Sequence, residues 1–73
     1  MRKLDQLLFE LGGLLEMAAN RGAEEAPAEL SAYQFRYKVI RAMVEERDLP
    51  DALAAGTALK PELLAFEKRL RRK

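Results

Sequence analysis

The feature that most constrains this chain is residues 31–48, where apolar side chains cover more than half of a helix surface. At 100° per residue these side chains form two stripes with Met43 between them, the first being Tyr33, Tyr37, Ile40 and Val44 and the second Phe35, Val39 and Ala42. A helix with two apolar faces has to be covered from both sides. The pattern therefore predicts a central helix, in the middle of a bundle or at the heart of a dimer.

The start of this central helix is predicted at Ser31. Gln34 follows three residues later, which is the spacing of a capping box, and Leu30 with Phe35 has the spacing of a hydrophobic staple. The alternative is a start one turn earlier with Pro27 as the first helical residue, a position that proline suits.

A second strong helix is predicted over about residues 3–20. Its apolar residues recur at alternating steps of three and four: Leu4, Leu7, Leu11, Leu14 and Ala18, with Leu8 and Leu15 widening the stripe. Asn20 and Gly22 are residues that often end helices. We therefore expect a loop over residues 21–30 that returns the chain antiparallel to this helix.

The face opposite these leucines carries an apolar strip, in which Phe9, Gly13 and Met17 lie four residues apart. Glycine inside a helix costs about 1 kcal/mol relative to alanine. The strip is either a set of scattered surface hydrophobes or a docking face where glycine lets another helix approach closely. We take it as the best candidate for a partner-binding site, with Tyr33 or Tyr37 contributing if the core stripe stays partly open.

The last third of the chain is predicted to form two helices. The first, residues 50–56, begins with Pro50 and ends at Gly56. A turn follows over residues 57–60, and the second helix covers residues 61–72. The core face of this last helix is Leu59, Leu63, Phe66 and Leu70.

The small size of the chain limits how it can be stabilised. A domain of 73 residues buries only about 60 % of the surface that its unfolded chain exposes. With no cysteine and no plausible metal cluster, stability has to come from tight packing or from oligomerisation, and we predict an oligomer.

The charges are balanced overall and uneven along the chain. The net charge of +1 favours neither a nucleic-acid binder nor an acidic partner. Residues 1–30 carry three bases against six acids, and residues 31–73 carry ten bases against six acids. Such halves attract one another within a fold or between chains, over roughly 8 Å at physiological salt.

No apolar run reaches the roughly 20 residues that span a bilayer, and acids interrupt the N-terminal segment, which therefore does not read as a signal peptide. We expect a cytoplasmic protein without membrane contact. Catalysis is not expected either, because the chain has neither histidine nor cysteine and so lacks the commonest general base and the thiolate nucleophile. The carboxylates near residues 45–51 do not have the spacing of a calcium loop. The sequence thus predicts no cofactor, no metal and no small-molecule substrate.

The C-terminal segment supports an alternative function. Residues 50–73 have the order short helix, turn, basic helix, and Ala52 with Gly56 resembles the alanine and turn glycine of helix-turn-helix proteins. The resemblance covers about a third of the chain, with Asp51 and Glu62 at positions that the family fills with core hydrophobes. It implies a small DNA-binding regulator whose cations are Lys60, Lys68, Arg69, Arg71, Arg72 and Lys73. The other interpretation of these cations is a solvated helix end that complements the helix dipole.

The sequence as a whole predicts an all-α protein with one domain over residues 1–73. Its architecture is a small bundle of three to four helices with a central two-sided helix, oligomeric in solution. The predicted function is a non-enzymatic interaction module, such as a small adaptor, chaperone-like subunit or regulator, that binds itself or another protein through the strip Phe9, Gly13 and Met17. DNA binding is the alternative.

Overall fold

Residues 2–72 are described by a computed structural model, in which they form three helices and no strand: α1 (Arg2–Glu25), α2 (Pro27–Glu45) and α3 (Leu49–Arg71). The helices pack side by side into a bundle of 38 × 18 × 16 Å. The prediction of an all-α bundle is confirmed. Within residues 2–72, no helix combines the length and the apolar character needed to cross a membrane.

The direction of each helix follows from the contacts between them. Gly22 near the end of α1 lies against Leu30 near the start of α2, so α1 and α2 run antiparallel. Leu7 of α1 lies against Gly56 in the first half of α3, so α1 and α3 run parallel. The bundle therefore has the topology up, down, up.

Each helix turns one apolar stripe, spaced alternately by three and four residues, towards a common core. The stripes are Leu4, Leu8, Leu11, Leu15 and Ala18 in α1, Leu30, Tyr33, Tyr37, Ile40 and Val44 in α2, and Ala52, Gly56, Leu59, Leu63, Phe66 and Leu70 in α3. The largest fully buried side chains are those of Phe66, Leu11, Leu59 and Leu63. Burial of each such side chain contributes about 1.5–3 kcal/mol relative to exposure.

The connection between α1 and α2 differs from the predicted loop. α1 continues to Glu25 and α2 begins at Pro27, so only Ala26 separates them. Gly22 does not end α1, because it is needed where the helices meet: a Cβ placed there would lie 3.3 Å from the Leu30 Cβ. The predicted loop over residues 21–30 is therefore wrong.

The predicted start of α2 at Ser31 is also wrong, and the alternative start at Pro27 is the one observed. Ser31 lies exposed inside the helix. Phe35 is 67 % exposed while Leu30 is buried, so the predicted hydrophobic staple does not form. The capping pattern is a local signal, and proline at the first turn together with burial of Leu30 outweighs it.

α3 is one continuous helix where two helices and a turn over residues 57–60 were predicted. Gly56 does not end a helix. It lies buried against α1, where a Cβ would come 2.7 Å from Leu7 Cδ2. Pro61 lies inside the helix, at a cost of about 3 kcal/mol. The apolar stripe runs unbroken through this region, and its burial outweighs that cost.

α2 ends in a Schellman motif. The Asp48 N–H donates to the Met43 carbonyl oxygen at 2.8 Å, and the Arg47 N–H donates to that of Val44 at 3.0 Å. Arg47 has the left-handed φ of 62° that this motif requires, at a position that glycine usually occupies. As predicted, the chain leaves α2 before Pro50, which falls in the first turn of the next helix.

Within a single chain, α2 is not covered on two sides. It buries only Leu30 and Ile40, whereas α3 buries seven residues. The second predicted stripe of α2 faces outward, since Phe35 and Val39 are exposed. The bundle thus covers one apolar face of α2 and leaves the other in solvent.

We expect Pro61→Ala to raise the free energy of unfolding by roughly 1–3 kcal/mol, because alanine restores the helical hydrogen bond to the Thr57 carbonyl and relieves the ring clash. Urea unfolding followed by circular dichroism measures the change. Pro50→Ala is the matched control: Pro50 lies in the first turn, where its missing N–H is not needed, so this variant should change stability little. A loss of stability in Pro61→Ala would contradict a continuous α3.

Candidate functional site

The seam between α2 and α3, meaning the line of contact between these two helices, is closed by two ion pairs. Arg36 donates from its two guanidinium Nη atoms to the Glu62 carboxylate, at 3.1 and 3.0 Å. Arg69 Nη2 lies 2.8 Å from Glu29 Oε2. Both pairs are partly exposed, so each stabilises the fold by at most about 1 kcal/mol. Glu29 and Arg36 are seven residues apart in α2, as are Glu62 and Arg69 in α3, so the two pairs lie on the same edge of the seam about two turns apart.

The seam between α1 and α3 is closed in a similar way. The Lys60 ammonium contacts the Glu10 carboxylate. One residue before the end of α3, Arg21 Nη1 donates to the Leu70 carbonyl oxygen at 3.3 Å. These contacts join the two parallel helices near their middle and near their C-terminal ends.

These ion pairs lower the pKa of two glutamates. A hydrogen bond from Lys60 lowers the pKa of Glu10, and a hydrogen bond from Arg36 lowers the pKa of Glu62. Both carboxylates are therefore held in the charged form that the seams require.

The seam between α1 and α2 is different, because no ion pair joins these helices among the described side chains, which leave out that of Arg2. Its polar link is the Tyr37 hydroxyl, which donates to the Leu8 carbonyl oxygen at 3.2 Å. An open groove runs along this seam, and its lining includes Leu8, Phe9, Gly12, Gly13, Glu16 and Tyr37.

The two glycines in the groove have different surroundings. A Cβ on Gly12 would lie 3.0 Å from the Tyr37 hydroxyl oxygen, so this glycine is explained by the contact of α2 with α1. A Cβ on Gly13 would meet nothing within 4 Å. The packing of this chain therefore does not require glycine at position 13.

The structure brings together only part of the predicted partner-binding site. Phe9 is 79 % exposed and shares the groove with Gly13 and Tyr37. Met17 is 59 % exposed but borders a separate depression between α1 and α3. Tyr33 lies at the α2–α3 seam, where its ring packs on Phe66 with the centroids 4.9 Å apart.

The sequence reasoning missed the charged rims of this groove. Beyond Tyr37 the groove adjoins a second depression that lies on α2 alone and is lined by Gln34, Lys38, Arg41, Ala42 and Glu45, and the Arg41 guanidinium carbon lies 5.9 Å from the Tyr37 ring centroid. Glu16 lies on the opposite rim. A signal was present: neither Lys38 nor Glu16 has an opposite charge three or four residues away on its own helix.

The cations of the DNA-binding alternative do not form a common surface with free charges. Three of the six are paired within the chain: Lys60 with Glu10, Arg69 with Glu29, and Arg71 with Glu67. Lys68 and Arg72 are exposed, and Lys73 lies outside the described residues.

The helix-turn-helix resemblance is not borne out by the fold. α3 has no turn after Gly56, and this glycine lies buried in the α1–α3 contact, where it allows the close approach of Leu7. The two short helices of such a motif are therefore absent from residues 49–71.

The groove offers an apolar floor between charged rims. Over the part of the chain that the structure describes, no group of three or more His, Cys, Asp and Glu residues could hold a metal ion. Comparisons of the chain with protein-family models, with curated proteins and with solved structures find no match. Function is therefore inferred from the groove itself.

We expect Gly13→Ala to raise the free energy of unfolding by roughly 0.5–1 kcal/mol, because the methyl group has room and alanine favours the helix. Gly12→Ala is the matched control. Its methyl group would push on Tyr37 and strain the hydrogen bond to Leu8, so this variant should gain less or lose stability. Urea unfolding measures both, and equal effects would contradict the difference between the two glycine environments.

Acid should weaken the fold through Glu10 and Glu62. The pKa values of both carboxyl groups in the folded state are lowered from 4.5. The charged carboxylates therefore stabilise the fold above the unfolded pKa, and this contribution is lost as the pH falls through the folded pKa. Melting temperatures from about pH 7 to about pH 3 measure this loss. The double variant Glu10→Gln, Glu62→Gln should melt lower at neutral pH and lose less in acid. The control Glu24→Gln should retain the wild-type pH dependence, and a double variant with the full acid loss would contradict the assignment.

Proposed function

We propose that this chain is a non-enzymatic protein-interaction module, acting as a small cytoplasmic adaptor, subunit or regulator. Its docking surface is the α1–α2 groove, with Phe9, Gly13 and Tyr37 as the main contacts. The observation that carries the proposal is an exposed phenylalanine beside a glycine that the fold does not need.

Phe9 supports a docking role because of what its exposure costs. A phenylalanine ring that is 79 % exposed gains almost none of the stabilisation that burial would bring. Aromatic side chains at the centre of interfaces often contribute a large share of the binding energy. A partner that covers Phe9 would recover the burial that the bundle does not supply.

Gly13 supports the same role from the backbone side. Glycine at this position weakens α1, yet the space above it is empty in the single chain. The absence of a side chain lets a partner's helix approach α1 closely, at the short end of the usual interaxial distances of about 8–10 Å. Stability lost in the free chain is thereby regained in the complex.

The shape of the groove suits an α-helix as the docked element. Amphipathic helices bind in apolar grooves through residues spaced three and four apart. A helix laid between α1 and α2 would also complete a four-helix bundle.

Site-specific photo-crosslinking tests the proposal. A benzophenone amino acid replaces Phe9, the protein is made in the cells that naturally contain it, and covalent protein adducts are collected after irradiation. The same probe replaces Ala58, an exposed residue of α3, as the matched control. We expect a protein adduct at position 9 and none at position 58. No adduct at position 9, or equal adducts at both positions, would overturn the proposed docking surface.

The variant Phe9→Asp tests whether loss of the Phe9 ring weakens association. The side chain is exposed, so helicity and melting temperature should stay near those of the wild type while association weakens. Leu64→Asp is the matched control, since Leu64 is also an exposed hydrophobe but lies on α3 away from the groove. An unchanged association of Phe9→Asp would remove Phe9 from the interface.

A further inference from the structure

The α1–α2 groove is self-complementary in charge, and we propose that the partner docked in it is a second copy of this chain. Two α1–α2 faces pack on each other and form a four-helix interface. This inference rests on the proposed function, for which it names the partner.

The two rims of the groove carry opposite charges that have no partner in the single chain. Glu16 lies on the α1 rim, and Lys38 lies on the α2 side in the adjoining depression, whose other charged residues, Arg41 and Glu45, have opposite signs, so that this side carries a net positive charge. Neither Glu16 nor Lys38 takes part in an ion pair among the residues that the structure describes. By contrast, each of the other two seams has ion pairs across helices, as Arg36 with Glu62 and Lys60 with Glu10.

A two-fold axis brings these rims together. In an isologous interface the same surface of both copies is in contact. If that surface has an acidic rim and a basic rim, the acidic rim of each copy can lie against the basic rim of the other. If the axis runs along the bundle, α1 of one copy lies beside α2 of the other. All neighbouring helices are then antiparallel, as in up-down-up-down four-helix bundles.

The levels of the charges along the helices fit this arrangement. A Cβ on Gly22 would lie 3.3 Å from the Leu30 Cβ, so these residues are at the same height in the bundle. Glu16 lies six residues before Gly22, and Lys38 lies eight residues after Leu30 in the antiparallel α2, so a rise of about 1.5 Å per residue puts them within about 3 Å of the same height. An axis along the bundle preserves height, so the Glu16 carboxylate of one copy comes within reach of the flexible Lys38 side chain of the second copy.

The apolar part of the groove fits the same occupant. In the dimer, Phe9 of each copy covers the groove of the other, and the missing side chain of Gly13 leaves space for the approach. A chain with so small a core gains stability from sharing a second one. Each groove is complete only when the second copy contributes its rim.

A charge exchange between two variants tests the inference. Sedimentation velocity over a concentration series should show a dimer for the wild-type chain. Glu16→Lys alone and Lys38→Glu alone should each weaken the dimer by roughly tenfold or more, because each places like charges together at both symmetric contacts. An equimolar mixture of the two variants should restore dimerisation, since opposite charges then meet at both contacts.

The matched control exchanges two exposed charges outside the groove, Glu24→Lys and Lys68→Glu. These variants should dimerise like the wild type, alone and mixed. All four variants should keep the helicity of the wild type because the substituted side chains are exposed. Failure of the Glu16→Lys and Lys38→Glu mixture to restore the dimer would overturn the inference.

Two further outcomes separate this inference from the proposed function. A monomeric wild-type chain whose position 9 still crosslinks to a different protein overturns the second copy as occupant and leaves the docking groove in place. A monomeric chain without any adduct at position 9 overturns both. A dimer that neither Phe9→Asp nor the charge reversals weaken uses another surface, which also overturns the inference.

Discussion

The close contact of α1 with α3 at Gly56 is the constraint on which the rest of the structure depends. A side chain at this position would collide with Leu7, so glycine sets how near the two parallel helices lie. Leu59 and Leu63, in the same stripe of α3, are fully buried. α2 lies antiparallel to both helices and packs against them. Burial of a continuous stripe then keeps α3 helical through Pro61.

The spacing of apolar residues predicted the helical segments, whereas the glycine and capping patterns placed the helix ends wrongly. The leucines of α1 and the stripe through Phe66 both face the core as expected. Gly22 and Gly56 looked like helix ends, although each serves a contact between helices. Glycine as a terminator and glycine as a contact surface cannot be told apart locally. The difference depends on which side chain lies opposite, which only the tertiary packing determines.

The candidate site was predictable to the extent that it depends on one helix. Phe9 and Gly13 lie opposite the leucines of α1, so periodicity alone places them on its outer face. Met17 lies on the same helix but borders another seam, and this follows from where α3 packs. Spacing within one helix singles out Glu16 and Lys38 as charges without a neighbouring partner. It does not show that other charges are paired between helices, as Arg36 is with Glu62, 26 residues away.

The single-residue link at Ala26 has a kinetic consequence. α1 and α2 are joined without a flexible loop, and the Tyr37 hydroxyl fixes their relative height by its hydrogen bond to Leu8. The walls of the groove are therefore already in place before anything binds. Association at the proposed docking groove would then involve little ordering of the backbone, so its rate would be governed by diffusion and orientation rather than by a folding step. A partner would meet a preformed surface, and the lifetime of the complex would depend on the contacts that it makes.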